Sequence, residues 1–229
     1  MIINLYMKKS QDGWEANYTF RNASNGEIVA TANNKKDDYC NLIYLNKKYY
    51  LKNHPKKMKR FLLPIKYPLC SKRKWTIGFD ITDENSSICS YYSEAVTYDK
   101  KFVFKRNMGL TVFRYNNETY SLYKVGFNEP CHYYCLYDEN DKTIAIIKRL
   151  YGDEKRATIY IENEDHLFIS LMACTEEIVD VANLGSREDM MDTSAGNYIS
   201  MNNIEKERFD KSFIDRVKMM EEKQNDFKN

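Results

Sequence analysis

Short runs of alternating apolar and polar residues fill the chain as far as Glu162. In Thr119-Tyr120-Ser121-Leu122-Tyr123-Lys124-Val125, the side chains Tyr120, Leu122 and Lys124 fall on one face, the period of two that a pleated strand imposes. Strand-like runs of the same length are Ile2–Met7, Trp14–Phe20, Glu27–Ala32, Cys40–Leu45, Lys48–Leu51, Arg60–Ile65 and Trp75–Ile81. Further along come Ser87–Tyr92, Lys101–Lys105, Leu110–Tyr115, His132–Tyr137, Thr143–Lys148 and Ala157–Glu162. Asp12-Gly13, Asn25-Gly26, Asp83-Glu84-Asn85, Asn116-Asn117 and Asp138-Glu139-Asn140-Asp141 are hairpin signals between them, since these residues tolerate the left-handed backbone of tight turns. So long a succession exceeds the roughly ten strands an open sheet carries, and closure or two packed sheets is expected.

One block breaks the alternation. Leu167-Phe168-Ile169-Ser170-Leu171-Met172-Ala173-Cys174 is apolar on every side, and a helix of that composition has no wet face. Asn163 is placed to cap it, with Glu164 and Asp165 where the helix dipole favours negative charge. The block is far too short to cross a bilayer, so a helix here belongs inside protein. A central strand is the alternative, because periodicity does not separate the two for a short apolar run. The continuation Glu176–Ala182 exceeds ordinary strand length and favours the helix. A sealed helix after a ladder of strands implies a β-barrel closed around it.

Beyond this block the pattern changes, and the chain divides into residues 1–183, the barrel with its helix, and 184–229, a C-terminal extension. Leu184–Ser200 reads as an irregular connection or as a short final strand at Asn197–Met201. In Asn203–Lys223, Phe209, Phe213, Val217 and Met220 recur at helical steps. This is an amphipathic helix, expected either to dock on the domain or to recruit a protein partner.

Composition adjusts the picture in three places. The chain has 229 residues, 43% apolar and 30% charged, which is a globular balance with length for a substantial core. Glycine and proline are scarce at 8 and 4, which leaves most turns to Asn and Asp. Met1–Lys9 places its charges after too few apolar residues for a secretory signal. The six cysteines (Cys40, Cys70, Cys89, Cys131, Cys135 and Cys174) show no CxxC pairing. Reduced thiols in the cytoplasm, with no metal and no cofactor, are therefore expected.

The stretch Asp141-Lys142-Thr143-Ile144-Ala145-Ile146-Ile147-Lys148-Arg149, then Ala157–Glu162, then the acidic start of an apolar helix, resembles the tubby C-terminal-like, LURP-one-related and phospholipid-scramblase superfamily. The likeness is to its small bacterial members. It implies a mostly β fold, a closed barrel of roughly twelve strands threaded by a hydrophobic helix. In architecture it covers Met1–Ala182, and in motif only Asp141–Ala173. The extension lies beyond it. Tubby domains bind phosphoinositides through basic barrel residues, but no such site aligns residue by residue with this chain.

Charge supplies the candidate chemistry. From Lys47 to Lys74 stand Lys47, Lys48, Lys52, Lys56, Lys57, Lys59, Arg60, Lys66, Lys72, Arg73 and Lys74, with no acid among them. The formal net charge of +2 conceals this stripe on an otherwise acidic chain. Lys56, Lys57, Lys59, Arg60, Lys72, Arg73 and Lys74 are accordingly the candidate anion-binding residues, for an anionic membrane surface or a phosphate-bearing ligand. A solvated face that blunts a strand edge is the plainer use of such lysines. Tyr49, Tyr50 and Tyr67 interleave with the stripe, yet nucleic acid is disfavoured because the whole chain lacks a strongly basic character. His54, His132 and His166 sit in no catalytic signature, and no glycine-rich phosphate loop exists. The expectation is a non-enzymatic cytoplasmic binding module, peripheral to a membrane. Its alternative is an interaction or scaffold module acting through the C-terminal helix and acidic surface.

Overall fold

The computed structural model describes residues 1–9, 16–34, 40–54, 70–85, 88–99, 107–126, 132–150, 154–175 and 209–226. Twelve strands occupy most of them. They are β1 (Ile2–Lys9), β2 (Ala16–Asn22), β3 (Ile28–Asn34), β4 (Asn41–Tyr44), β5 (Lys47–His54) and β6 (Cys70–Thr82). Then follow β7 (Ile88–Asp99), β8 (Asn107–Tyr115), β9 (Glu118–Gly126), β10 (His132–Tyr137), β11 (Thr143–Arg149) and β12 (Lys155–Ile161). The class is mostly β, as the alternation requires. The expected strands Arg60–Ile65, Lys101–Lys105 and Asn197–Met201 lie outside the described residues.

Each strand pairs antiparallel with its neighbours in sequence, and β1 pairs with both β2 and β12. The order β1-β12-β11-β10-β9-β8-β7-β6-β5-β4-β3-β2 therefore returns to its start as a barrel. The seam is the β1–β12 ladder, where Ile3 faces Ile159 and Leu5 faces Ala157. It joins the two ends of the strand run with no hairpin to help it, so loop closure is costliest there.

Two-residue turns show why the hairpins form where they do. Asn116 and Asn117 link Tyr115 to its partner Glu118 with φ of 50° and 65°, the doubly left-handed turn that suits the twist of the strands. Leu45 and Asn46 make the same turn between Tyr44 and Lys47 with φ of 48° and 60°. No turn signal marks this turn, because leucine pays a steric penalty at positive φ. At the β10–β11 turn, Asp138 accepts hydrogen bonds from the Asn140 and Lys142 N–H groups at 2.9 Å each.

Inside the ring lies α1 (Leu167–Cys174), with the bounds of the apolar block. Leu171, Met172, Ala173 and Cys174 are 0% exposed. They pack with the inward side chains of the barrel, among them Ile3, Leu5, Phe20, Leu42, Leu122, Leu136 and Ile147. At about 1.5–3 kcal/mol for each large apolar side chain, this burial dominates the stability of the domain. Asn163 does cap, but it caps a 3-10 turn at Glu164–His166, accepting from the Asp165 N–H at 3.1 Å. Where the helix enters, Phe168 sits among Tyr44, Tyr49 and Tyr115, with ring centroids 5.5, 4.7 and 4.8 Å away. The continuation Glu176–Ala182 lies outside the described residues.

The second helix, α2 (Phe213–Asp226), lies on the outside of the barrel, and it starts later than the periodicity indicates. Asp210 accepts from the Ser212 N–H and hydroxyl at 3.0 and 2.7 Å, and the Ser212 carbonyl accepts the first helical bond, from Arg216, at 2.9 Å. Phe209 thus precedes the helix instead of opening its apolar stripe, and Met220 is 43% exposed. The inward face is Phe213 and Val217, both 0% exposed and packed on Tyr133, Cys135, Tyr137, Ile146 and Tyr160. These strand positions carry apolar residues on both faces, because one meets α1 and the other α2.

Two substitutions test this architecture. Leu171→Asp places an unpaired carboxylate in the interior at a cost of several kcal/mol, a large share of a typical stability of about 5–15 kcal/mol. Its cooperative unfolding transition should disappear, whereas Leu171→Ala should retain one at a loss of about 2–5 kcal/mol. An unchanged melting curve for Leu171→Asp contradicts the enclosed helix. Leu45→Asn should raise the melting temperature by relieving about 1 kcal/mol of left-handed strain; an unchanged or lower value contradicts that turn geometry.

Candidate functional site

Strand direction sorts the charge of this molecule. Because neighbours are antiparallel, the connections alternate between the two ends of the barrel. One end holds the turns after β2, β4, β6, β8 and β10 and the start of α1. Its described residues include Glu27, Asp83, Glu84, Glu118, Asp138, Glu139, Asp141, Glu162, Glu164 and Asp165, against Arg21, Lys47, Lys48, Arg114 and Lys142. The other end holds the close of β1, β5, β9 and β11 and the opening of β6 and β12. There the order reverses: Lys8, Lys9, Lys52, Lys72, Arg73, Lys74, Lys124, Lys148, Arg149, Lys155 and Arg156 stand against Asp80, Glu94, Asp99 and Glu154. One pole is acidic and the other basic.

The residues expected to bind anions divide on this frame. Lys72, Arg73 and Lys74 lie in the first half of β6, which pairs with β7 but runs past the end of β5, whose last partner is Gly78. They belong to the basic pole. Lys56, Lys57, Lys59 and Arg60 lie outside the described residues. Lys47 and Lys48 start β5 at the opposite, acidic pole, where the Lys48 Nζ lies 4.8 Å from the centre of the Tyr50 ring. The linear stripe is thus not one surface. The basic pole also gains Lys8, Lys148, Arg149, Lys155 and Arg156, which lie far from the stripe along the chain.

Part of that pole reaches inward. The hydroxyl of Tyr18 is buried with no hydrogen-bond partner, and burial above all pushes its pKa up to about 12. Arg156 and Arg149 act on it in the opposite sense, and the thiols of Cys40 and Cys174 act with burial. Arg149 also donates to the Tyr134 hydroxyl at 3.4 Å. This is the end at which α1 finishes, and cations there complement its terminal carbonyls. The inward arginines therefore have a structural use before any other. Burial likewise lowers the pKa of the Lys155 ammonium.

On the outer wall, α2 is held by polar contacts as well as by its apolar face. Arg216 donates to Glu162 at 2.7 Å and to Asp210 at 2.9 Å. Glu221 accepts the Ile2 N–H at 2.6 Å and lies 3.7 Å from the N-terminal ammonium. The apolar face expected to recruit a partner is therefore occupied by the barrel. Beside the start of α2 a cleft of about 350 Å³ opens over Tyr133 and Tyr160.

Among the described residues no three metal-ligating side chains converge, and no helix is long and apolar enough to cross a membrane. His166 is half-buried, its carbonyl accepting the Ser170 hydroxyl at 2.7 Å. No protein family, curated protein or solved structure matches the chain.

The clamp on α2 predicts an acid response. The Arg216 guanidinium foremost, and then Ser212, hold the Asp210 carboxyl below its ordinary value of 3.8. A lowered folded pKa gives stability that is complete above the ordinary value and lost as pH falls through the lowered one. Asp210→Asn should therefore melt lower than the parent at neutral pH, by a small amount because the pair is partly exposed. The two curves should converge as the pH falls through that lowered pKa; a constant difference at all pH values contradicts the clamp.

Proposed function

We propose that the chain is a non-catalytic binding module of tubby-like build, engaging phosphate-bearing anionic membrane surfaces with the basic pole of its barrel. The carrying observation is the separation of charge by strand direction, which puts Lys72, Arg73 and Lys74 at the same end as Lys8, Lys148 and Lys155. A pole of one sign concentrates anions and orients the molecule toward a charged surface, with the acidic pole facing away. The ring of strands around an apolar helix supports the tubby-like assignment. The filled interior supports a binding role over catalysis, because α1 occupies the space where a barrel enzyme would hold substrate.

Each engaged Lys or Arg contributes roughly 1 kcal/mol near an anionic leaflet, so four give about 4 kcal/mol, or millimolar affinity. Such a module acts from the cytoplasm as a peripheral, reversible visitor to the membrane. Flotation with phosphatidylserine-containing vesicles should carry the protein upward at low salt and release it near physiological salt, where exposed charges are screened beyond about 8 Å. Neutral phosphatidylcholine vesicles should leave it behind. Release by soluble inositol phosphates at low concentration would assign the pole to a free phosphate ligand instead of a lipid surface. The combined change Lys72→Glu, Arg73→Glu and Lys74→Glu should abolish flotation with an unchanged melting curve. Parent protein that ignores anionic vesicles at low salt overturns the reading.

A further inference from the structure

The cleft beside α2 combines two features that an ordinary surface groove lacks. Its floor is aromatic: Tyr133 and Tyr160 are each only 9% exposed, and Phe209 packs edge-on against Tyr133 with ring centroids 5.3 Å apart. Its rim is cationic, and the cations come from two separate elements. Lys148 projects from β11, its Nζ 5.6 Å from the centre of the Tyr133 ring, while Lys211, in the turn before α2, and Lys218, in its second turn, flank the cleft. Asp215 is the lining carboxylate, and it lies 3.9 Å from Lys218. Lys148 and Lys211 have no carboxylate within ion-pair distance among the described residues. A volume of about 350 Å³ matches the lower end of small-molecule sites, roughly 300–1,000 Å³.

We infer that this cleft binds a small aromatic phosphate, with its ring on Tyr133, Tyr160 and Phe209 and its phosphate between Lys148, Lys211 and Lys218. The ring supplies the apolar area that the floor needs to bury, and offset or edge-on stacking on Tyr and Phe adds to it. The phosphate dianion brings together ammonium groups that otherwise repel one another across the cleft. Lysine suits this role as a point charge on a flexible stem, able to follow ligands of different length. The site is distinct from the surface formed by Lys72, Arg73 and Lys74, although Lys148 stands at the same end of the barrel.

The test is isothermal titration of the full chain with phenyl phosphate, with phenol and inorganic phosphate as the separated halves. Phenyl phosphate should bind with one site per chain, at least tenfold more tightly than either half. Lys148→Glu should weaken it at least tenfold. Lys218→Glu, at an exposed helix position that carries no packing, should weaken it severalfold, and Phe209→Ala should remove the advantage over inorganic phosphate. The combined Glu variant of Lys72, Arg73 and Lys74 should bind phenyl phosphate as the parent does, so that failure of the membrane reading is separable from failure of this one. No saturable binding in the millimolar range overturns the inference. Inorganic phosphate binding as tightly as phenyl phosphate, or Lys218→Glu and Lys148→Glu both binding like the parent, overturns it as well.

Discussion

A helix without a wet face must be enclosed, and the rest of this structure follows from that constraint. Seven of the eight residues of α1 are buried, and the eighth, Phe168, is wedged among three tyrosine rings. Enclosure on all sides demands a ring of strands instead of an open sheet. The ring in turn explains the small inward residues Ala30, Ala32, Ala145 and Ala157, which leave room for a helix that large side chains would exclude. Ser170, the polar residue of α1, is satisfied within the helix: its hydroxyl returns to the His166 carbonyl one turn back.

Closing the ring joins the two ends of the strand run, β1 and β12. The chain braces that joint with its two ends. The N-terminal ammonium donates to the Ile161 carbonyl at 2.8 Å, and Glu221 on α2 takes the Ile2 N–H. Phe213 and Val217 cover the outer face of the neighbouring strands, and Arg216 ties the helix to Glu162 just past β12. The extension is therefore part of the barrel wall. In covering that wall it also builds the aromatic cleft, which exists only because Phe209 and Ile214 stand over Tyr133 and Tyr160.

Local features were legible in the sequence, and the nonlocal ones were not. The run His132–Tyr137 has the same bounds in the structure because its alternation and its Asp138 turn agree. The Leu45-Asn46 turn was invisible because leucine contradicts the backbone it adopts. Periodicity places the start of α2 too early because Phe209 falls in helical register with Phe213, while the start signal in Asp210-Lys211-Ser212 depends on a side chain folding back on the backbone. The basic residues from Lys47 to Lys74 are dense along the chain. In an antiparallel ring, however, position along each strand decides the pole, so Lys47 and Lys72 part company while Lys8 and Lys155 converge. Counting connections would have found this, given the strand bounds. The contact of Glu221 with the first residues of the chain leaves no trace in local pattern at all.

The enclosure of α1 is measured most directly by native-state hydrogen exchange resolved to single amides. A helix sealed inside a ring opens only when the ring does, so the amides of Leu171–Cys174 should exchange at the rate set by global unfolding. They should respond to denaturant with the full slope of the equilibrium transition. The amides of α2, on the outer wall, should exchange faster and with a smaller slope. Exchange of Leu171–Cys174 as fast as that of α2, with little dependence on denaturant, would mean that α1 is not enclosed and that the strands do not form the closed wall around it.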